Sequence, residues 1–200
     1  MDPDALCFQQ HPATHPALRQ RLAAVDHGLV ADGALAPGLA AEAVEALRLL
    51  PAGPHYIQQA GAVGLHWRCD ATLPPEPSPQ LPEPLFRLVR AVEEDIPAAI
   101  SAALGTALRS ARPGILSLWR FHKGSWYHDA PAPDGPVRFL VELTGARWPA
   151  AWGGTLEIAG QSRPLGWDRL TVLQPGTSLR VPLVRRHISA CLLYGELVLA

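Results

Sequence analysis

The chain has 200 residues, enough for one domain with a sizeable core. With 48% hydrophobic and 18% charged residues, its composition excludes a disordered chain. A net charge of -1 gives no global pull towards nucleic acid or a membrane surface.

Among the 17 basic residues Lys123 is the one lysine, a bias expected of GC-rich bacterial coding. Cys7, Cys69 and Cys191 form no CxxC motif, and an odd count argues against a disulfide framework. Reduced thiols are the simple expectation. The start, Met1-Asp2-Pro3-Asp4, lacks the basic and apolar regions of a signal peptide. No apolar run approaches the ~18 residues that cross a bilayer. A cytoplasmic protein is expected.

Residues 1–16, with His11-Pro12 and His15-Pro16, read as a loose arm. A short helical run follows at 17–25, then a turn at Asp32-Gly33. Pro37 opens a helix to about residue 50, with Leu39, Ala43, Leu47 and Leu50 on one face. Pro51-Ala52-Gly53-Pro54 ends it. Residues 56–69 have mixed strand character. Six prolines over 74–84 predict an extended surface loop. Leu85, Val89 and Val92 stripe a helix over 85–94, and Pro97 starts another to about 108. Residues 17–113 are therefore expected to be mainly helical.

From Gly114 the texture changes. Short apolar or alternating runs appear at 115–121, 137–143, 155–158, 169–173, 179–184 and 187–193, separated by Gly, Pro or Asp. Several short strands at this spacing predict a sandwich or barrel over 114–200. Helices first and strands after make an α+β chain. The expectation is a single domain over 1–200.

The most specific motif is Leu143-Thr144, then Trp148, then Trp152-Gly153-Gly154-Thr155-Leu156. With Arg120-Phe121-His122-Lys123-Gly124 before it and Arg185-Arg186-His187-Ile188-Ser189 after it, the chain resembles the prolyl-4-hydroxylase-like branch of the iron(II)/2-oxoglutarate oxygenases. The resemblance covers residues 17–196 and is specific over 116–194. It implies a double-stranded β-helix, the jelly-roll or cupin-like barrel, with N-terminal helices packed on it.

The resemblance also implies four site elements. The first is a His-x-Asp pair. His128-Asp129-Ala130 keeps the His and loses the carboxylate; Tyr127-His128-Asp129 keeps the carboxylate and loses the His. The second is a distal His, and Leu179 stands at its place with no donor atom. The third is an Arg that holds 2-oxoglutarate, and Arg186 stands there; a guanidinium fork suits a carboxylate. The serine expected two residues later is Ile188. The fourth is an aromatic hydroxyl near Arg120, where Phe121 has none. Iron of this class needs two His and one carboxylate on one face of the ion. No metal is therefore expected in the usual position, and no cofactor. If the chain is active, Fe(II) and 2-oxoglutarate are implied, with His122, His128 and Asp129 as shifted ligands.

Arg138 and Glu142 share one face of the run 137–143. That face is either solvent, where charges are ordinary, or the barrel lumen, where they are site candidates. Arg186 is expected to face the lumen from the last strand, or else to pair with a structural carboxylate such as Glu142. Candidate catalytic groups are His128, Asp129 and Glu142. His128 is favoured as base by an intrinsic pKa near ~6.5. Candidate ligand-binding groups are Arg186, Arg138, Trp126 and Tyr127. The clusters Trp119/Trp126 and Trp148/Trp152/Trp167 are expected in core and rim packing.

Three functions follow. The leading one is a degenerate oxygenase fold that has lost its iron site and either binds a small acidic ligand or runs metal-free acid–base chemistry. The second is an active 2-oxoglutarate-dependent hydroxylase with shifted ligands. The third is a non-catalytic partner-binding protein using the proline-rich loop. The expected partner is a small acidic molecule or peptide side chain, not nucleic acid or membrane. A homodimer is compatible with these features.

Overall fold

The computed structural model describes residues 12–59, 61–72, 82–144, 149–186 and 190–200. The arm at 1–11, most of the proline-rich loop, Trp148 and His187-Ile188-Ser189 lie outside the described residues.

A helical turn, α1 (Leu18–Arg21), leads into the hairpin of β1 (Ala23–Val25) and β2 (Gly28–Asp32). Helix α2 (Leu39–Arg48) buries Leu39, Ala40, Ala43, Ala46 and Leu47, the stripe its spacing dictates. Strands β3 (Gly53–Gln59) and β4 (Ala62–Thr72) form a second hairpin. Helix α3 (Glu83–Arg90) then continues through a π-helical stretch, Ala91–Asp95, into α4 (Ile96–Leu104). The sequence predicts a break at Pro97. The chain instead stays helical, and the wider π turn just before Pro97 accommodates the missing N–H. Gly105 closes α4 in the left-handed region, φ 67°.

The remaining strands are β5 (Leu108–Ser110), β6 (Ile115–Phe121), β7 (Trp126–Asp129), β8 (Val137–Leu143), β9 (Leu156–Ile158), β10 (Gln161–Arg163), β11 (Trp167–Leu173), β12 (Leu179–Val181) and β13 (Ala190–Leu199). All pairings are antiparallel. The sheet order is β1-β2-β11-β8-β13-β6-β4-β7-β12-β9-β10, with β3 beside β4 and β5 beside β13. Strand β4 is the corner. Its half Trp67–Thr72 pairs with β6, and its half Ala62–Leu65 pairs with β7. The sheet therefore curls over itself into a jelly roll.

Alternation along each strand then makes two cores. On the outer face, Leu116, Leu118, Phe139, Val141, Leu143, Leu170 and Val172 pack against α2, α3 and α4. Inside the roll, Trp119, Phe121, Leu140, Leu156, Leu173, Leu179 and Leu192 pack against one another. Each fully buried leucine contributes about 1.5–3 kcal/mol.

Among the described residues, the part expected to be mainly helical thus holds five strands beside its helices. The run at 17–25 is helix only over Leu18–Arg21 and then enters β1. Its Ala and Leu residues favour helix, but β1 pairs with β2, and β2 gains a full ladder against β11. Tertiary pairing overrides so weak a prior. No helix among the described residues is long and apolar enough to cross a membrane.

Candidate functional site

Strand β7 decides which residues enter the barrel. Side chains alternate along a strand, and here Tyr127 and Asp129 face in, both buried. Trp126 and His128 share the opposite face, and His128 is exposed. Of the two sequence registers, the structure thus puts Tyr127 and Asp129 inside. Ala130 is exposed.

Across the ladder from Asp129 stands Leu179, in direct register. The Leu179 amide donates to Asp129 Oδ1 at 2.8 Å. The other carboxylate oxygen accepts from Tyr127 Oη at 2.8 Å and from Arg138 Nη1 at 2.5 Å. Arg138 reaches in from β8 and donates its second nitrogen to the Thr177 carbonyl. Asp129 is 4% exposed and Arg138 3%, so this pair is sealed from water. Burial, and then the adjacent Asp129, push the Tyr127 phenol well above its ordinary range, so it stays a neutral donor.

Glu142, two pleats along the same face of β8, is fully buried in a second cage. Arg163 grips it with both nitrogens, at 2.5 and 2.9 Å. Thr171 Oγ1 donates at 2.8 Å and the Gly166 amide at 2.7 Å. The approach is close: a Cβ on Gly166 would stand 3.2 Å from Glu142 Oε2. The lumen alternative for Arg138 and Glu142 is the one observed. They do not pair with each other, and the structural partner of Glu142 is Arg163, not Arg186.

Aromatic rings fill the interior beside Asp129. Trp119 stacks on Tyr194 at 4.3 Å and lies 4.9 Å from Tyr127, centroid to centroid. Tyr194 donates to Glu196 Oε1 at 2.6 Å. His66 packs 4.7 Å from Trp119 and 5.3 Å from Phe121. It is fully buried, and neither ring nitrogen has a partner among the described residues. Burial first, then the charges of His55 and Arg68, lower its pKa to about 3.

His66, Arg163, Thr171 and Tyr194 were not among the sequence candidates. For His66 the local pattern points the wrong way. Leu65 and Trp67 flank it and read as core, yet they are 36% and 38% exposed while His66 is inside.

Two further expectations are corrected. Arg186 does not face the lumen. It is exposed, in an irregular stretch before β13 begins at Ala190. That stretch is held instead by the Trp-Gly-Gly turn: the Gly154 amide donates to Pro182 O, and the Arg185 amide to Trp152 O. Gly153 and Gly154 adopt φ 73° and 65°, and a Cβ on Gly153 would stand 2.0 Å from Leu183 O. Nor are His122, His128 and Asp129 brought together. His122 lines a cavity on the outer face, His128 is exposed and Asp129 is inside. No group of three or more His, Cys, Asp or Glu among the described residues is placed to hold a metal. The catalytic set of His128, Asp129 and Glu142 likewise does not converge on one cavity.

Solved structures with this curled sheet are numerous. A Pseudomonas putida prolyl-4-hydroxylase matches at 15% identity over 88% of this chain and 94% of that one, with a TM-score of 0.60. This is the prolyl 4-hydroxylase fold. A prolyl 4-hydroxylase from Phytophthora capsici matches at 18% identity over 96% of this chain and 67% of its own, TM-score 0.64. The non-heme α-ketoglutarate-dependent epimerase SnoN from nogalamycin biosynthesis matches at 18% over 93% and 85%, TM-score 0.62. No protein-family model and no curated protein matches the sequence. At these identities the likeness is one of fold, and function must be argued from the site.

Proposed function

We propose that this chain is a metal-independent member of the prolyl 4-hydroxylase fold, in which an internal ion pair replaces iron and the protein acts by binding rather than by oxidation. The observation that carries this reading is the closed clamp on Asp129. Its carboxylate already accepts from Leu179, Tyr127 and Arg138.

The donor set does not fit iron. Such a centre needs two imidazoles and a carboxylate facing one ion. Leu179 has no donor atom, and the Tyr127 phenol is held protonated. A metal at Asp129 would also have to expel the Arg138 guanidinium and leave it buried without its anion. Breaking a buried pair in that way costs about 3–5 kcal/mol. The guanidinium itself supplies the positive charge that Asp129 needs.

Among the described residues, metal-free acid–base chemistry finds no open carboxylate or imidazole inside the barrel at Asp129, Glu142 or His128 either. Asp129 and Glu142 are sealed in hydrogen bonds, and His128 faces outwards. Binding at the protein surface is the reading these facts favour.

The test is turnover. Protein supplied with Fe(II), ascorbate and 2-oxoglutarate is expected to release succinate no faster than an Asp129→Ala variant. Succinate formed over many turnovers by the wild type, and lost in that variant, would overturn the proposal.

A further inference from the structure

A cavity of about 540 Å3 lies outside the barrel, between the end of α2 and the outer face of β6, β8, β11 and β13. Its size falls within the range of small-molecule sites. Val44 and Leu47 form the helix wall, and Leu143 and Trp167 the sheet wall. Trp167 is 39% exposed, a large indole left open on that wall.

The charge in this cavity is positive. Arg120 enters from β6, half-buried. It donates to the Leu47 carbonyl in the last turn of α2. No carboxylate among the described residues lies within ion-pair distance of it. Arg48 stands at the rim with Glu45, 2.9 Å apart and both largely exposed, so this surface pair nearly cancels. His122 shares the cavity and lines it beside Arg120. The field of Arg120 reaches its neighbours: after burial it is what lowers the His122 pKa, and it opposes the burial that raises the Cys191 thiol.

A half-buried guanidinium held by one carbonyl still presents donors in a rigid fork, matched to a carboxylate. We propose that this cavity binds a small organic carboxylate with a flat or aliphatic body, the acid group on Arg120 and the body against Trp167 and the Val44–Leu47–Leu143 wall. The site lies outside the lumen and does not depend on whether the barrel binds iron.

The test uses the full chain with a chelator present, so that the lumen reading cannot enter. Phenylacetate is titrated by calorimetry and by tryptophan fluorescence, beside 2-phenylethanol and 2-phenylethylamine. Saturable binding of phenylacetate is expected, with the alcohol and the amine weaker by at least about tenfold, a difference of about 1.4 kcal/mol. Arg120→Gln should weaken phenylacetate by about the same factor. Because Arg120 also ties down α2, its thermal melt is recorded. If that variant does not fold, Val44→Glu decides, since it leaves Arg120 in place and sets a like charge on the wall. No saturation at millimolar phenylacetate, equal binding of the alcohol, or binding unchanged in the deciding variant overturns the assignment.

Discussion

Leu179 stands directly across an antiparallel ladder from Asp129, and its amide donates to the Asp129 carboxylate at 2.8 Å. Side chains so paired lie about 4.5–5.5 Å apart at Cβ. An imidazole at Leu179 would share a point in space with that carboxylate. The isobutyl group instead joins the barrel core, fully buried beside Phe121 and Val181. The charge at Asp129 is met from another direction, by Arg138 on β8.

That arrangement predicts a strong coupling. Arg138→Met alone leaves a buried carboxylate without its cation, and Asp129→Asn alone leaves a buried guanidinium without its anion. Each should destabilise the protein by about 3–5 kcal/mol. The double variant should cost well under the sum, because the introduced amide oxygen can accept from the Leu179 amide while its NH2 donates to the Tyr127 hydroxyl oxygen, and neither charge remains. Urea unfolding of the four proteins checks this, and costs that simply add would contradict the pairing.

His66 should make the protein acid-sensitive. Its pKa is about 3 in the folded state and 6.5 when exposed. The unfolded chain therefore takes up a proton that the folded one refuses. The stability this group allows is complete above pH 6.5 and is lost as pH falls towards 3. His66→Phe keeps a ring among Trp119, Phe121 and Tyr127 and removes two unpartnered nitrogens. It should add roughly 1–2 kcal/mol at pH 7 and flatten the acid limb. A stability curve parallel to wild type between pH 6.5 and 3 would count against it.

Asp168 should act with the opposite sign. Burial raises its pKa from 3.8 to about 6, against the pull of the Leu35 and Ala34 amides. The folded state thus binds the proton more tightly. The stability this group contributes is full below pH 3.8 and is lost as pH rises through 6. The residue adopts φ 50° and accepts from the Leu35 amide at 2.9 Å. Asn tolerates that backbone and keeps the acceptor. Asp168→Asn should therefore gain on the order of 1 kcal/mol over wild type at pH 7, the shift being discounted for the solvent screening of a half-buried group, and the gain should vanish below about pH 4. Melting temperatures from acid to mildly alkaline pH provide the check, and an equal gain at both ends would rule out titration as the cause.

Much of the frame was legible in the sequence. Residues 115–121 and 137–143 are strands with the predicted bounds, because dense apolar runs between Gly and Pro leave little choice. The stripe of α2 was equally plain. The partners were not. Arg138 finds Asp129 nine residues away and Glu142 finds Arg163 twenty-one residues on, pairings fixed by the closure of the roll and not by local spacing. Arg186 was placed on the last strand, but the chain needs residues 182–185 to clasp the Trp-Gly-Gly turn, and β13 starts later. His66 follows the alternation of β4, but its apolar neighbours Leu65 and Trp67 take the exposed face, so hydrophobicity pointed the wrong way. Gly64 is buried on the same face as His66, and a Cβ there would meet Tyr127 at 3.0 Å.

The central claim is that the Asp129 clamp has taken the place of iron. Anaerobic titration of Fe(II) into wild type, read by equilibrium dialysis and metal analysis, tests it most directly beside a Tyr127→His/Leu179→His/Arg138→Met variant. The wild type should hold far less than one iron per chain, and the variant, with two imidazoles restored around a freed carboxylate, should approach one. One tightly held iron per wild-type chain, lost in Asp129→Ala, would contradict the account.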